Sequence, residues 1–435
     1  MRIDRLELEN FKKYARQTID LHPQFTLLIG DNGAGKTTML EALAVAAGIW
    51  LTDVPDTSLI SSRREIDRSE IRLEPETVGD RTQFRECLPV RVAATGLIGD
   101  QSRPVTWTRQ IRSSGKRTTN AEAKQALDLI RDVYARDASG ENLLCPVLAY
   151  YGAGRAWLAS RERTGPAKRN GAARRWAAFY DCFNERIRFG DLHDWFVGEF
   201  IERGNRAGRW RPGFDVVRRA VLRCVPDADD LRYDSDRKQI VLSIAGQPLP
   251  IDNLSAGQRM MLALVADLAI KAVTQNAFLV PRDQLPPDVL PEVLAKTPGL
   301  VLIDELDVHL HPNWQRRVAR DLKETFPAIQ FICTTHSPQV IGELPAEEIR
   351  VLKGDRILVA GASFGIDSSR ILEEVMGAES RTNEVGELIH KIHQHIDAEE
   401  LDAARALLPA LESLIGSKDA EMVRARGLID LLTAV

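Results

Sequence analysis

The residues with the clearest chemical role lie at 30–37, where GDNGAGKT fits the pattern G-x-x-x-x-G-K-[ST]. Glycines in such a loop let backbone N–H groups face phosphate oxygens, and the following helix N-terminus adds a favourable dipole. Lys36 is expected to reach the β- and γ-phosphates of ATP, and Thr37 to ligate Mg²⁺. The expected nucleotide contacts here are Asn32, Gly33, Gly35, Lys36, Thr37 and Thr38. A plain glycine-rich turn is the alternative.

Two adjacent acids end the apolar run VLIDE at 301–305. Ligands of open α/β sheets bind at the carboxyl ends of strands, where these acids would lie. Asp304 is expected to hold Mg²⁺, directly or through water, and Glu305 to orient or deprotonate the attacking water. Capping of the next helix is the alternative role for the pair.

A histidine follows a second apolar run, QFICTTHS at 330–337. His336 is expected to hydrogen-bond the γ-phosphate or the attacking water, because its strand would lie beside the acidic one. A solvent-exposed loop histidine is the alternative.

The stretch NLSAGQR at 253–259 precedes a long apolar run and contains no nucleophile or metal ligand. Ser255 is a good helix N-cap, and Gly257 permits close approach of a backbone to a ligand. The helix would therefore direct its positive end at an anion. Since residues 30–37 already form one anion site, this second site has no phosphate of its own in a monomer. Plain capping is the alternative.

The elements that must position these residues alternate between strand and helix. The runs at 2–14 and 17–30 have a period near two and predict two antiparallel strands, and helical spacing follows from Lys36. The runs at 299–305 and 330–337 predict strands buried on both faces of a parallel sheet. Residues 368–435 have a helical pattern.

Between these motifs, strand-like runs at 88–99 and 104–112 predict an antiparallel β insertion, followed by a helix at about 120–136. A strand at 145–152 leads into an Arg- and Trp-rich helical lobe, and a hairpin at 231–251 returns the chain to the signature segment, residues 253–259. The lobe from 155 to 223 holds sixteen Lys or Arg and eight Asp or Glu, interleaved with Trp157, Trp176 and Trp210. A solvated helical face is the commoner explanation of such a composition, and contact with nucleic acid through phosphate contacts and aromatic stacking, or a surface for a partner protein, are the alternatives.

Composition places the chain among folded globular proteins, since 44% of residues are hydrophobic and 28% charged. A formal net charge of -4 gives no global attraction to nucleic acid or anionic membrane. The charged N-terminus does not resemble a signal peptide, and no apolar stretch reaches the about 18 residues of a membrane span. Five scattered cysteines predict buried, reduced thiols and a cytoplasmic protein.

These motifs together resemble those of the ABC-type ATPases, in the branch of the RecF and SMC-like repair proteins and the OLD nucleases. Within that branch ENF near the start, VLIDELDVHLHPNWQ, TTHSP and FGIDSSRILEEVMG look most like stand-alone ATPases of bacterial anti-phage systems, such as PtuA of the Septu system. The shared motifs cover about half of the chain. The resemblance implies an α/β fold: an ABC-type P-loop ATPase core with an antiparallel β subdomain, a helical insertion and a C-terminal helical segment.

The resemblance also implies a head-to-tail homodimer, in which Ser255 and Gly257 of one copy close over ATP held by Lys36 of the other. Two positions depart from the family pattern. His311 stands where many ABC-type proteins carry the D-loop aspartate, and the loop at 150–155 offers Arg155 in place of a Q-loop glutamine. Near the start of the chain, residues 10–12 could contact adenine. The alternative is that Phe11 is buried in the core.

Five segments are expected. They are 1–50, the first part of the ATPase core with the P-loop; 51–150, a β-rich insertion and return strand; 151–250, the helical lobe plus hairpin; 251–365, the second part of the core with the signature, Walker B and histidine motifs; and 366–435, the C-terminal helices.

The expected function is a Mg²⁺-dependent, ATP-hydrolysing dimeric switch of an anti-phage system, which gates DNA binding or a nuclease or toxin effector from a neighbouring gene. A higher oligomer than the dimer is compatible with this expectation. A RecF- or SMC-like repair ATPase and an ATP-dependent scaffold with little turnover are the alternatives. A nuclease in the same chain is disfavoured, because residues after Ser363 lack a strand-borne Glu and a D-x-D pair. A transporter subunit is disfavoured by the large insertions.

Overall fold

The computed structural model describes residues 1–433 apart from 57–58, 60–61, 116, 157–174, 188, 284–285 and 287. The chain divides into two compact units, Met1–Ile366 and Asp367–Val435. The strands are β1 Arg2–Phe11, β2 Tyr14–Asp20, β3 Phe25–Gly30, β4 Leu73–Val78, β5 Arg81–Glu86, β6 Val90–Leu97, β7 Val105–Ile111, β8 Val147–Tyr151, β9 Ala228–Asp234, β10 Gln239–Ile244, β11 Gln247–Pro250, β12 Gly299–Ile303, β13 Ile329–Thr334, β14 Ile349–Lys353 and β15 Arg356–Val359. The helices are α1 Lys36–Ala47, α2 Lys124–Ala138, α3 Phe189–Asn205, α4 Pro212–Cys224, α5 Ala256–Gln275, α6 Glu292–Lys296, α7 Pro312–Thr325, α8 Pro338–Ile341, α9 Ser368–Arg370, α10 Asn383–Asp397, α11 Leu401–Ile415 and α12 Ala420–Thr433.

A six-stranded sheet in the order β15-β14-β3-β13-β12-β8 forms the centre of the larger unit. Its strands are parallel except for β15, which pairs antiparallel with β14 at one edge. Every residue of β8, β12 and β13 is buried, as expected for parallel strands that helices cover on both faces. The predicted buried strands are therefore confirmed, and β3, β13, β12 and β8 all end at the same edge of the sheet.

The second sheet is antiparallel and has the order β2-β1-β6-β7. The single strand predicted for 17–30 is wrong, because β2 pairs with β1 whereas β3 enters the central sheet. A bend between β2 and β3 separates them. There Nδ1 of His22 accepts from the backbone N–H of Gln24 at 3.3 Å, and Pro23 has no N–H to donate to a ladder.

Helix α1 lies between the two sheets and contacts strands of both. From Met39 to Ala47 nearly every side chain is buried, which is the pattern of a helix that is apolar all round. Nε1 of Trp107 on β7 donates to the carbonyl of Ala46 at 3.0 Å, and the hydroxyl of Tyr134 on α2 bonds the carbonyl of Trp50 at 2.5 Å. The core thus fixes the helix that carries the predicted phosphate-binding lysine.

The predicted helical lobe contains α3 and α4, and the hairpin that follows has three strands in the order β11-β10-β9. Trp176 is 4% exposed and packs edge-on against Tyr134, so it belongs to the core and lies neither on a solvated helical face nor on a nucleic-acid surface. Trp210 stacks on Phe214 with ring centroids 3.9 Å apart. Trp157 lies outside the described residues.

The smaller unit is helical, as predicted, and α10, α11 and α12 enclose a core of their own. A β ribbon of β4 and β5, which the sequence analysis did not predict, occupies 73–86. All five cysteines are buried and free. Within the described ranges, every helix is too short or too polar to cross a membrane.

Candidate functional site

The phosphate-binding loop runs from the end of β3 at Gly30 to the start of α1 at Lys36. Three of its glycines have positive φ angles: +148° at Gly30, +76° at Gly33 and +100° at Gly35. A Cβ on Gly35 would lie 2.2 Å from the Tyr14 hydroxyl, and one on Gly30 would lie 2.4 Å from the carbonyl oxygen of Leu352. Both the backbone angles and the close neighbours therefore require glycine. Asn32 and Gly33 are exposed on this loop.

The hairpin between β1 and β2 holds the loop through two residues that the sequence analysis did not identify. The Tyr14 hydroxyl donates to the carbonyl of Ala34 at 3.0 Å, and Nζ of Lys13 donates to that of Gly33 at 2.8 Å. Burial raises the pKa of Tyr14 to about 12, so its hydroxyl stays protonated as a donor. In the sequence, Lys13 and Tyr14 closely follow the ENF motif at 9–11, and this position was the feature that could have indicated their role. Phe11 is fully buried and belongs to the core.

Lys36 is buried at the start of α1. Its Nζ donates to two loop carbonyls, at 2.8 Å to Gly30 and 3.1 Å to Asp31. Burial lowers the pKa of Lys36, whereas nearby carboxylates, first of all Asp304, oppose that shift. The ammonium group of Lys36 is thus held within the loop by its hydrogen bonds to these two carbonyl oxygens. Thr38 is half-buried in the same first turn.

Three side chains meet where β3, β12 and β13 end. The Thr37 hydroxyl donates to Oδ2 of Asp304 at 2.8 Å, and the Thr334 hydroxyl donates to Oδ1 at 2.6 Å. A hydroxyl and a carboxylate are hard oxygen ligands of the type that Mg²⁺ prefers, so this pair fits the predicted metal role. His336 was the residue predicted from the TTHSP motif, whereas the role of Thr334 in the same motif was not predicted.

Glu305 follows Asp304 with φ at +51°, a left-handed conformation that is uncommon for residues other than glycine. Its backbone N–H donates to the Thr334 hydroxyl at 2.7 Å, so one threonine holds both acids. Strained backbone of this kind persists where the surroundings impose it, and it clusters at functional positions. The side chain is partly exposed, as contact with a water molecule requires.

His336 lies just beyond β13, whose neighbour β12 carries the acids, so the predicted register is present. Its side chain is exposed, and its backbone N–H lies 3.4 Å from Oδ1 of Asp307. The Thr335 hydroxyl also donates to Asp307. Asp307, which the sequence analysis did not select, therefore fixes the backbone at the tip of the histidine strand.

The signature segment begins α5 with a capping box. The Ser255 hydroxyl accepts from the backbone N–H of Gln258 at 3.2 Å, and Oε1 of Gln258 accepts from the N–H of Ser255 at 2.9 Å. Ser255 is exposed, whereas Gly257 is buried. A Cβ on Gly257 would lie 2.5 Å from the carbonyl oxygen of His309, so this glycine permits contact with the segment that follows Glu305 in the same chain.

The two departures from the family pattern differ in outcome. His311 is the N-cap of α7, and its Nδ1 accepts from the backbone N–H of Asn313 at 3.3 Å. It therefore caps the helix as an aspartate there would. The loop after β8 forms a short 3₁₀ turn, Ala153–Ala156, and the side chain of Arg155 lies outside the described part of the chain.

The larger unit thus brings the predicted residues together in two groups. The first contains Lys36, Thr37, Asp304 and Glu305, which converge at the carboxyl edge of the central sheet with His336 at the next strand end. The second contains Ser255 and Gly257 at the start of α5. The first group can bind a triphosphate and activate water, and the second presents a capped helix N-terminus to solvent.

Comparison with known proteins agrees with this geometry. The model of the AAA domain family matches residues 5–188, and that of the family described as "AAA domain, putative AbiEii toxin, Type IV TA system" matches residues 187–342. The Retron Vc95 probable ATPase of Vibrio cholerae serotype O1 biovar El Tor is 24% identical over 410 residues, which covers 81% of this chain and 73% of that protein.

The Septu protein PtuA of Bacillus thuringiensis is 35% identical over 243 residues. That alignment covers 51% of this chain and 57% of PtuA, so the chain spans little more than half of this relative. Among solved structures, an SMC head bound to the C-winged helix domain of ScpA matches with a TM-score of 0.47 and 18% identity, over 83% of this chain and 98% of that one. The chain thus contains two matches to AAA domain models, and the residues predicted for the P-loop, the signature segment, the acidic strand end and the histidine lie within the matched ranges.

Proposed function

We propose that this chain is an ATP-hydrolysing switch of a bacterial anti-phage system, in which ATP joins two copies and hydrolysis separates them. The proposal rests on one observation. Residues 30–37 and the acids 304–305 form a site within one chain, whereas Ser255 begins an exposed helix N-terminus that a second copy can place over that site. The retron and Septu relatives support the assignment to defence.

In the proposed reaction, the N–H groups of the loop bind the phosphates, and Lys36 leaves the loop carbonyls for the β- and γ-phosphates. Thr37 and Asp304 would hold Mg²⁺, which would supply positive charge to offset that of the phosphates. Glu305 orients the attacking water and accepts its proton, and His336 donates to the γ-phosphate. Ser255 and Gly257 of the second copy complete the cover over the nucleotide and exclude water.

The closed dimer is proposed to gate a partner, either DNA or a nuclease or toxin effector. The helical lobe of α3 and α4 is the proposed contact surface, because the segment between the two helices exposes two arginines, Arg206 and Arg209. We propose that the chain is divided into the five segments 1–50, 51–150, 151–250, 251–365 and 366–435. The P-loop lies in the first part of the ATPase core, and the signature and acidic motifs lie in the second part.

Glu305→Gln tests this mechanism directly. The amide keeps the shape of the side chain and removes the base, so ATP turnover falls about 100-fold or more while ATP binding remains. Light scattering should then show a dimer that persists with ATP and Mg²⁺. Glu347→Gln, which changes an exposed glutamate outside the candidate site, is the matched control and should behave as the wild-type chain.

An unchanged molar mass of the Glu305→Gln chain on ATP addition would contradict the proposed dimer. A wild-type chain that assembles with ATP but shows no measurable turnover would instead identify a scaffold. Omission of Mg²⁺ should abolish turnover in the wild type, and turnover without any divalent cation would contradict the proposed metal role.

A further inference from the structure

A cavity of about 400 Å³ lies between α4 and α7 of the larger unit, apart from the residues of the ATP site. This volume falls within the range of about 300–1,000 Å³ that is usual for small-molecule pockets. Its lining residues are Arg223, Arg317, Arg320, Asp321, Glu324 and Thr325. Three guanidinium groups thus line one cavity, and one carboxylate, Asp321, contacts two of them, those of Arg317 and Arg320.

Arg223, in the last turn of α4, supplies the strongest indication of a ligand. Among the described residues it has neither a hydrogen-bond partner nor an ion-pair partner, and its Nε is shielded from solvent. A buried donor without an acceptor costs about 1–3 kcal/mol. An anion in the cavity would remove that cost.

The two other arginines retain free donors although both contact one carboxylate. Nε of Arg317 donates to Oδ2 of Asp321 at 2.6 Å, and Nε of Arg320 lies 3.8 Å from Oδ1. A guanidinium group has five N–H donors, so each arginine keeps several for a second partner. Arg317 and Arg320 can therefore bind an anion without losing Asp321, which holds both in place.

The balance of charge limits the size of the anion. Three arginines and two carboxylates give the lining a net charge of +1. A nucleic-acid backbone needs a continuous basic surface, and the exposed carboxylate of Glu324 would repel its successive phosphates. The same carboxylate accepts hydrogen bonds from hydroxyl groups.

We propose that this cavity binds a small phosphate monoester that also carries hydroxyl groups, as a sugar phosphate does. Arg223, Arg317 and Arg320 contact the phosphate, since guanidinium matches its oxygens in bidentate pairs. Glu324 accepts from the hydroxyl groups at the mouth of the cavity. The site shares no residue with the ATP site, so the inference stands independently of the proposed switch.

Isothermal titration calorimetry with ribose 5-phosphate as the probe tests the proposal on the full chain. Saturating ADP is present throughout, so that the phosphate-binding loop is already occupied. We expect ribose 5-phosphate to bind at millimolar concentration or below, inorganic phosphate to bind more weakly, and ribose not to bind. Arg223→Gln should weaken ribose 5-phosphate binding about tenfold, the loss of one charge-assisted contact.

Arg316→Gln is the matched control, because Arg316 is exposed on α7 next to Arg317 and does not line the cavity. It should leave ribose 5-phosphate binding unchanged. Equal binding by the wild-type and Arg223→Gln chains, or no binding by the wild type, overturns the proposal. Displacement of the probe by single-stranded DNA would also overturn it in favour of a nucleic-acid surface. Thermal melting checks that Arg223→Gln is folded.

Discussion

The two helix N-termini at Lys36 and Ser255 each lie next to a glycine, Gly35 before α1 and Gly257 in the first turn of α5, yet they differ in what surrounds them. The loop before α1 is closed by its own chain, with Tyr14 and Lys13 on its carbonyls and Asp304 on Thr37. The start of α5 is capped by its own serine and glutamine and otherwise faces solvent.

The comparison shows that glycine is required at these two positions for different reasons. At Gly35 it gives the backbone an angle that other residues avoid, so that N–H groups face an anion. At Gly257 it allows a helix to approach the segment after Glu305, with no unusual angle. Gly35 shapes the candidate phosphate-binding loop, and Gly257 lets the exposed start of α5 contact the segment that follows Glu305.

The largest effect is expected at the loop before α1. Lys36→Ala removes a buried cation aimed at the phosphates, so ATP affinity should fall about 100-fold, which corresponds to about 3 kcal/mol. Calorimetric titration with ATP measures it. Lys353→Ala, which removes an exposed lysine from β14, is the control and should bind ATP normally. Normal ATP affinity in the Lys36→Ala chain would contradict the assignment of this loop.

The second effect separates the two roles of Ser255. Ser255→Asp keeps a good N-cap but places a negative charge where the second copy's phosphates would lie. The activation barrier for ATP turnover should rise by about 2–3 kcal/mol, so that turnover falls about 100-fold. The melting temperature and the binding of ATP to the monomer should be retained. Asp252→Asn, a change of charge just before the segment, is the control. Unchanged turnover in Ser255→Asp would limit this residue to capping.

A third effect is expected on stability. Gly257→Ala places a methyl group 2.5 Å from the His309 carbonyl oxygen, and the resulting overpacking should cost about 1–3 kcal/mol of unfolding free energy. Gly198→Ala in α3 meets nothing within 4 Å and should be neutral or slightly stabilising. Urea unfolding curves compare the two. Equal stabilities would show that α5 moves freely past the segment after Glu305.

The smallest effect is expected at Tyr14, which holds the phosphate-binding loop through a hydrogen bond. Tyr14→Phe removes the hydrogen bond to the Ala34 carbonyl, which is worth about 1 kcal/mol, so ATP affinity should fall about fivefold. Because the pKa of Tyr14 is raised to about 12, the difference between the two chains should be constant across neutral pH. A pH-dependent difference would point to another role for this hydroxyl.

Short-range patterns in the sequence predicted much of the fold and the candidate site. The strand before Gly30, the acids after β12 and the cap at Ser255 are local features, so spacing and residue type were enough to identify them. The split of 17–30 into two strands was missed because alternation continues across Pro23, and strand periodicity does not show which sheet a strand joins.

Contacts between distant parts of the chain could not be predicted in this way. Thr334 meets Asp304 because β13 lies beside β12, and Tyr14 meets Ala34 because the first hairpin folds over the loop. Trp176 is buried by Tyr134 and Phe179, whereas composition alone left its ring on a helical surface or at an interface. Each of these outcomes depends on packing partners that composition does not identify.

The hydrogen bonds from Lys36 to Gly30 and Asp31 have a consequence for the resting protein. The two carbonyl oxygens accept hydrogen bonds from the ammonium group, so the chain itself holds this buried lysine within the loop. A triphosphate that binds to the loop must compete with these two carbonyl oxygens for the hydrogen bonds of the Lys36 ammonium group. A highly charged anion competes for the ammonium group better than a weakly charged one, which agrees with the proposed binding of ATP.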